Sequence, residues 1–292
     1  MSLCLFGGGG QLGQELQRCC PPAVTLHAID RAVADLTRPE QICAVLERLQ
    51  PQVIINAAAY TAVDRAESES GLAYAGNAEA PKILAEWARA HGARLLHVST
   101  DFVFDGRQGR PYKTNDPTAP LGVYGASKAA GEEYVRSILG TDGLILRTAW
   151  VYSQFGNNFV KTMLRLLGER QTLSVVGDQI GTPTWAGGLA AALWRAVELP
   201  QFTGTQHWTD AGVASWYDFA VAIQEEGLQH GLLLRQIPIQ MIPATAYPTP
   251  AQRPSCVVLD KADSYAALGA APHWRQQLRR MICAWQEGTQ HG

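Results

Sequence analysis

The sequence predicts an α/β fold, a doubly wound parallel sheet followed by a smaller, irregular C-terminal domain. Three observations carry this. Short apolar runs at 3–6, 24–29, 53–56, 95–99 and 144–148 alternate with segments long enough for crossover helices. Several runs, Val53-Ile54-Ile55 among them, are apolar without alternation, as strands covered on both faces are. After about Trp150 the rhythm weakens and loops become frequent, with prolines between Pro238 and Pro254, ahead of an amphipathic helix near 273–285.

A chain of 292 residues that is 47% apolar and 17% charged can bury the core of one large or two modest domains. Its 24 basic and 26 acidic residues are scattered, with no basic run to follow a phosphate backbone, which argues against nucleic acid. No apolar stretch approaches the roughly 20 residues that span a bilayer. Met1 to Phe6 runs into glycines without a positively charged start, so no membrane partner and a cytoplasmic location are expected. The six cysteines lack C-x-x-C or zinc spacing, and reduced, mostly buried thiols are expected.

The first run leads directly into Gly7-Gly8-Gly9-Gly10-Gln11-Leu12-Gly13, and a helix continues through Gln14-Glu15-Leu16. Gly7, Gly10 and Gly13 form a G-x-x-G-x-x-G pattern. Glycines allow the tight turn and clear side chains from the path of phosphates, while unpaired N–H groups at a helix start favour an anion. With a strand before and a helix after, this is a pyrophosphate site, lined by Gly7, Gly10, Gln11, Leu12 and Gly13. Residues 1–150 are then a Rossmann-type NAD(P)-binding domain and 151–292 a substrate domain. Within 185–212, a helix at 188–198 and a strand at 204–209 are able to return to the first domain.

The second run ends at Asp30, where an acidic residue would bind the adenosine ribose hydroxyls, and Arg31 beside it could take a 2′-phosphate. NADPH and NADH both stay open, NADPH favoured. Asp35 and Leu36 are assigned to the same side of the cofactor.

The fourth run ends in Ser99-Thr100, whose hydroxyls could polarise a substrate carbonyl. Tyr124-Gly125-Ala126-Ser127-Lys128 then opens a helix reaching about Ser137, with phenol and ammonium one turn apart on one face. An unperturbed tyrosine gives up its proton reluctantly at neutral pH, so a nearby ammonium that favours phenolate is useful. Y-x-x-x-K is common by chance; its place after the fourth run and downstream of the glycine motif is what makes it chemistry.

These residues resemble the extended short-chain dehydrogenase/reductases, and within them the dTDP-4-dehydrorhamnose reductase family. The resemblance rests on Gly10-Gln11-Leu12-Gly13-Gln14-Glu15-Leu16, Asn56-Ala57-Ala58-Ala59-Tyr60-Thr61-Ala62-Val63-Asp64-Arg65-Ala66-Glu67 and Ser99-Thr100-Asp101-Phe102-Val103-Phe104-Asp105-Gly106. It continues through Arg147-Thr148-Ala149-Trp150-Val151-Tyr152, the segments 156–163 and 178–184, and Arg253-Pro254. The resemblance implies reduction of the C4 ketone of dTDP-4-dehydro-β-L-rhamnose by NAD(P)H. In it Thr100, Tyr124 and Lys128 are catalytic, Tyr124 is the proton donor, and Lys128 also holds the nicotinamide ribose. Ala57, Ala58, Ala59 and Tyr60 would line the cofactor. Thr61, Val63, Thr100, Asp101, Phe102, Tyr124 and Trp150 would face the sugar, and Asn157 and Arg253 the diphosphate, where an Arg fork suits phosphate oxygens.

Departures from the family pattern are Phe102, where tyrosine is usual, and Cys256-Val257, in place of a polar pair. Some members dimerise around magnesium held partly by a glutamate beyond the Thr-Pro-Thr segment. Here Trp185-Ala186-Gly187-Gly188 follows, so no structural metal is expected although Glu15 is present; magnesium remains the one metal the resemblance would allow. The protein would be a monomer or homodimer. A 4,6-dehydratase would need a glutamate after Asp101 as base, and Phe102 stands there. An epimerase would retain its cofactor rather than exchange it. A non-catalytic regulatory subunit would have no chemical requirement for intact Thr100, Tyr124 and Lys128.

Overall fold

The structure, a computed structural model, describes residues 1–290. β1 (Ser2–Phe6) is buried from Leu3 onward and runs straight into the glycine turn. α1 (Gln11–Arg18) leads to β2 (Thr25–Ile29), whose Thr25 and Ala28 are exposed, as suits the edge strand of the sheet. α2 (Pro39–Leu49), with proline in its first turn, leads to β3 (Val53–Asn56), buried throughout. The next crossover is broken into α3 (Val63–Ala66), α4 (Ser70–Tyr74), a π turn (Ala75–Glu79) and α5 (Ala80–His91), ahead of β4 (Arg94–Thr100). After a 3₁₀ turn (Asp101–Val103), α6 (Val123–Leu139) returns to β5 (Leu144–Thr148).

Beyond β5 the strands shorten. β6 (Val151–Tyr152), α7 (Phe159–Glu169), β7 (Leu173–Val176), β8 (Ile180–Gly181) and β9 (Thr184–Trp185) precede α8 (Ala186–Glu198) and β10 (Gly204–His207). β11 (Ala214–Ser215), α9 (Trp216–Gln229), β12 (Ile239–Ile242), α10 (Ala262–Leu268) and α11 (Trp274–Gln290) complete the order.

The main sheet is parallel throughout, in the order β2-β1-β3-β4-β5-β10. Its order reverses beside β1, so the carboxyl ends of β1 and β3 border the crevice where open α/β sheets hold ligands. One face packs Leu3, Leu5, Val53, Ile55 and Leu96 against α1 and α8; the other packs Cys4, Phe6, Ile54 and Leu95 against α2, α5 and α6. That two-sided burial is why the runs read as unbroken apolar sequence.

β10 joins the main sheet although it lies after the irregular segment. Arg94, at the start of β4, helps hold this return: its guanidinium donates to the carbonyls of Ala196, Val197, Leu199 and Phe202 at 2.8, 3.2, 3.0 and 2.8 Å, filling acceptors left open at the end of α8. The remaining elements form a second core from Tyr152, Phe219, Ile223, Trp274 and Leu278. Two side-chain hydrogen bonds tie it to the glycine turn and α1: Asn158 Nδ2 to Gln11 Oε1 at 3.0 Å, and Ser153 Oγ to Glu15 Oε1 at 2.8 Å.

Among the described residues, no helix is long and apolar enough to cross a membrane. All six cysteines are free, but only Cys4 is fully buried; Cys43 lies exposed on the outer side of α2, and the others are half-buried. The expectation of mostly buried thiols fails because Cys19 and Cys20 fall at the fraying end of α1 rather than in its apolar stripe.

A methyl group at Gly13 would stand 2.0 Å from the Gly7 carbonyl oxygen and 2.8 Å from Gly8 Cα. Gly13→Ala is therefore expected to lower stability by about 1–3 kcal/mol in urea unfolding; an unchanged midpoint would show that the turn has slack.

Candidate active site

The glycine turn is built by the end of β2. The N–H groups of Gly7 and Gly8 both donate to the Ile29 carbonyl at 2.9 Å, and Gly10 N–H donates to the Gly7 carbonyl at 3.0 Å. Gly7 holds φ +89°, and a Cβ there would lie 2.6 Å from Ala58 N, so β1 and β3 can converge only on glycine. Gly10 caps α1 with no side chain bonded to the first-turn N–H groups, leaving them free for an anion. This cradle of bare backbone fits a dinucleotide pyrophosphate.

The neighbouring residues sort themselves around it. Ala57 N–H donates to the Phe6 carbonyl at 3.0 Å and Ala58 N–H to Asn56 Oδ1 at 3.2 Å, which fixes the 57–59 segment across from the turn. Asp30 is exposed and its Oδ1 accepts from Ala32 and Val33 N–H, both at 3.0 Å. Arg31 reaches Asp35 at 3.1 Å with most of its side chain in solvent. The Thr37 backbone and hydroxyl hold the Asp35 carboxyl below its usual range, and half-buried Leu36 packs on the sheet core. Tyr60 donates to the carboxylate of Glu69.

Thr100, at the end of β4, and Tyr124, at the start of α6, come together at the carboxyl edge of the sheet. The Thr100 hydroxyl acts on the phenol against the effect of burial, and the Phe102 ring stands edge-on to it with centroids 5.5 Å apart. Ser99, adjacent on the strand, points to the other face and its Oγ has no hydrogen-bond partner, so only Thr100 of the two serves the site.

Lys128 departs from expectation. Its Nζ donates to the Val98 carbonyl at 2.7 Å and lies 3.4 Å from His97 Nε2, on the sheet side of α6 rather than on the phenol. Burial pushes Tyr124 up to about 12, with the Thr100 hydroxyl opposing it and the Asp101 charge adding to it. Burial also brings Lys128 down to about 8, while Glu132 pulls it back up. A dry pocket disfavours every charged form, and that outweighs the attraction of cation for phenolate.

A cleft of about 30 Å³ is lined by Asp101, Phe102, Trp150, Trp216, Arg253 and Val257, among others, with room for water but not for a sugar. Trp150, held at φ +47°, stacks on Trp216 with centroids 3.6 Å apart. Arg253 grips Asp64 through both Nη atoms at 3.0 and 2.8 Å and also bonds Thr249 and the Ala251 carbonyl. Asp64 sits on α3 between Val63, which is half-buried, and the helix end; Thr61, just before α3, is exposed. Asn157 is exposed, while its neighbour Asn158 caps α7 and reaches Gln11.

Four residues that the sequence reading did not single out hold this arrangement. Asn77, in the π turn, bonds the backbone of Tyr60 at 2.8 and 3.1 Å and Ser127 Oγ at 3.0 Å, joining the cofactor loop to α6. His97 stands between Asn56 Nδ2 at 3.1 Å and Lys128. Glu67 accepts from Val123 N–H at 2.9 Å, capping the helix that carries Tyr124, and Asp64 holds Arg253. Pro81, Gly76 and Tyr74 around Asn77 give no local hint of it, and Glu67 and Asp64 reach partners 56 and 189 residues away, which no local pattern announces.

Among the described residues, no three His, Cys, Asp or Glu side chains group as metal ligands. Glu15 accepts from Arg18 Nε at 2.9 Å and from Ser153. A larger cavity of about 350 Å³ opens beside β10, between Lys113–Asn115 and Asp260–Ser264, and shares no residue with the cleft at Trp150 and Arg253.

Residues 1–287 match the RmlD substrate binding domain family. The chain is 41% identical to the dTDP-4-dehydrorhamnose reductase of Shigella flexneri, over 97% of each chain. Among solved structures, the dTDP-4-dehydrorhamnose reductase of Bacillus anthracis in complex with NADP superposes with a TM-score of 0.90 at 33% identity, covering 97% of this chain and 99% of that one. The Clostridium acetobutylicum counterpart gives 0.91 at 35%, covering 98% and 100%.

Glu67→Ala removes the cap from α6. It is expected to cost about 1 kcal/mol of stability in chemical denaturation; an equally stable variant would mean that solvent caps the helix as well.

Proposed function

The chain belongs to the RmlD substrate binding domain family of dTDP-4-dehydrorhamnose reductases, and from that premise we propose that it reduces the C4 ketone of dTDP-4-dehydro-β-L-rhamnose to dTDP-β-L-rhamnose with NADPH or NADH. The observation that carries this reading is the placement of the Thr100 hydroxyl at the carboxyl end of β4 with the Tyr124 phenol on α6, Phe102 packed on that phenol, and a neighbouring cleft lined by Phe102, Trp150 and Arg253.

The nicotinamide ring supplies a hydride to C4 when bound. The protein's part is to place the sugar and deliver a proton. Thr100 polarises the carbonyl, and Tyr124 holds a proton on its phenolic oxygen. Burial that lifts Tyr124 to about 12 keeps that proton in place at neutral pH, yet leaves the phenol a stronger acid than the C4 alcohol formed when the alkoxide takes the proton, so transfer runs downhill. Lys128, anchored on the Val98 carbonyl and beside His97 Nε2, keeps a donor for the nicotinamide ribose.

Gly7, Gly10, Gln11, Leu12 and Gly13 would cradle the pyrophosphate, with Ala57–Ala59 and Tyr60 opposite. Asp30, Asp35 and Leu36 would line the adenosine end. Arg31, tied only to Asp35 and open to solvent, is free to turn to a 2′-phosphate, which favours NADPH. Thr61, Val63, Asp101, Phe102 and Trp150 would face the sugar, and Asn157 and Arg253 the diphosphate. Residues 1–150, with the returning 185–212 segment, would hold the cofactor and the remainder the nucleotide sugar. The enzyme would work in the cytoplasm, as a monomer or homodimer, without a structural metal.

Phe102 packs its ring on Tyr124 where a dehydratase needs a carboxylate, which supports reduction over elimination. Supplying dTDP-4-dehydro-L-rhamnose and following the loss of NADPH or NADH absorbance tests the assignment; no oxidation of either sinks it. Tyr124→Phe should lower kcat by about 10²–10⁴-fold with cofactor binding intact, and near-normal turnover would remove Tyr124 as donor.

A further inference from the structure

We propose that Asp101 is a positioning residue that aims the Thr100 hydroxyl: in its protonated form it donates to Thr100 Oγ1 and leaves the single hydroxyl hydrogen of Thr100 for the C4 oxygen of the substrate. This rests on the reductase reading and adds a protonation requirement to it.

A threonine hydroxyl has one hydrogen to give and two positions at which to accept. The Phe102 N–H, 3.2 Å away, takes one acceptor position of Thr100. Asp101 Oδ1 lies 3.1 Å from the same hydroxyl oxygen. An ionised Asp101 can only accept, so it claims the hydroxyl hydrogen and turns lone pairs toward the carbonyl that Thr100 should polarise. A protonated Asp101 fills the second acceptor position instead, and the hydrogen is freed.

The surroundings favour the protonated form. Asp101 is 2% exposed. The cation that shares its cleft, Arg253, is bound to Asp64, and Lys128 on α6 is turned to the Val98 carbonyl. Tyr124 faces it as a neutral phenol. Burial pushes the Asp101 carboxyl up to about 7, opposed only by hydrogen bonds from the Thr100 hydroxyl and the N–H groups of Asp101 and Phe102. Raised from its ordinary value, the carboxyl stays neutral below about pH 7 and ionises above it, so hydroxyl aiming is lost as pH rises. Lys128 titrates separately, near 8.

The test is kcat/KM for the 4-keto nucleotide sugar against pH, at saturating NADPH, in wild type and Asp101→Asn. Wild type should fall about tenfold per pH unit above an apparent pKa of about 7. The asparagine amide donates at every pH, so whatever its absolute activity, Asp101→Asn should lose the fall near pH 7 and keep a flat profile until about pH 8. An Asp101→Asn profile that still falls near pH 7 overturns the proposal, because the titrating group would then lie elsewhere. A wild-type profile flat through pH 7 also overturns it. Should Asp101→Asn fail to fold, Thr100→Ala decides: its residual activity should show no fall near pH 7, and a retained fall refutes the aiming of Thr100. If wild type oxidises no cofactor at any pH, the reductase reading fails and takes this inference with it.

Discussion

A guanidinium and a carboxylate sealed between β5 and α6 set the geometry on which the site depends. Arg147 and Glu132 are both fully buried and meet through two parallel hydrogen bonds, Nε to Oε1 at 2.9 Å and Nη2 to Oε2 at 2.6 Å. The Arg147 guanidinium also lies 4.9 Å above the Phe104 ring, and one Nη donates to the Thr114 carbonyl. Removing one partner of such a pair leaves an uncompensated buried charge, costing about 3–5 kcal/mol. A two-pronged contact tolerates little sliding, so it locks α6 in register with the sheet. Tyr124 and Lys128 ride on that helix, and Lys128 is one turn from Glu132, whose charge steadies its ammonium against burial. Core and site are thus joined through a single helix.

The acid–base character of the site follows from dryness more than from pairing. Asp101 and Tyr124 move up and Lys128 moves down, with burial the largest cause in all three. Each shift favours the neutral form. A pocket that keeps Tyr124 and Asp101 protonated suits the reductive direction, in which a proton must be on hand when negative charge grows on oxygen.

Much of this was legible in the chain itself. The crossover rhythm, the glycine turn and the Tyr124–Lys128 spacing are local patterns, and local patterns survive without a structure because they need only the period of a strand or a helix. The return of β10 to the sheet was readable as an option; the Arg94 bonds that help secure it span more than 100 residues of sequence and leave no periodic trace. The same holds for Asn77, His97 and the Asp64–Arg253 pair, whose partners lie 17 to 189 residues away. Spacing placed the Tyr124 and Lys128 side chains on one face of a helix, but burial and the Val98 carbonyl decided what each side chain does.

The narrow cleft has a consequence for time rather than for place. What draws its walls together is an indole stack, Trp150 on Trp216, and a partly exposed ion pair, Arg253 with Asp64. Interactions of these kinds contribute about 0.5–1.5 and 0.2–1 kcal/mol. Admission of a bulky nucleotide sugar requires these side chains to rearrange, together with the bonds that Arg253 makes to Thr249 and the Ala251 carbonyl, so each entry waits on the movement of a small set of contacts near the surface.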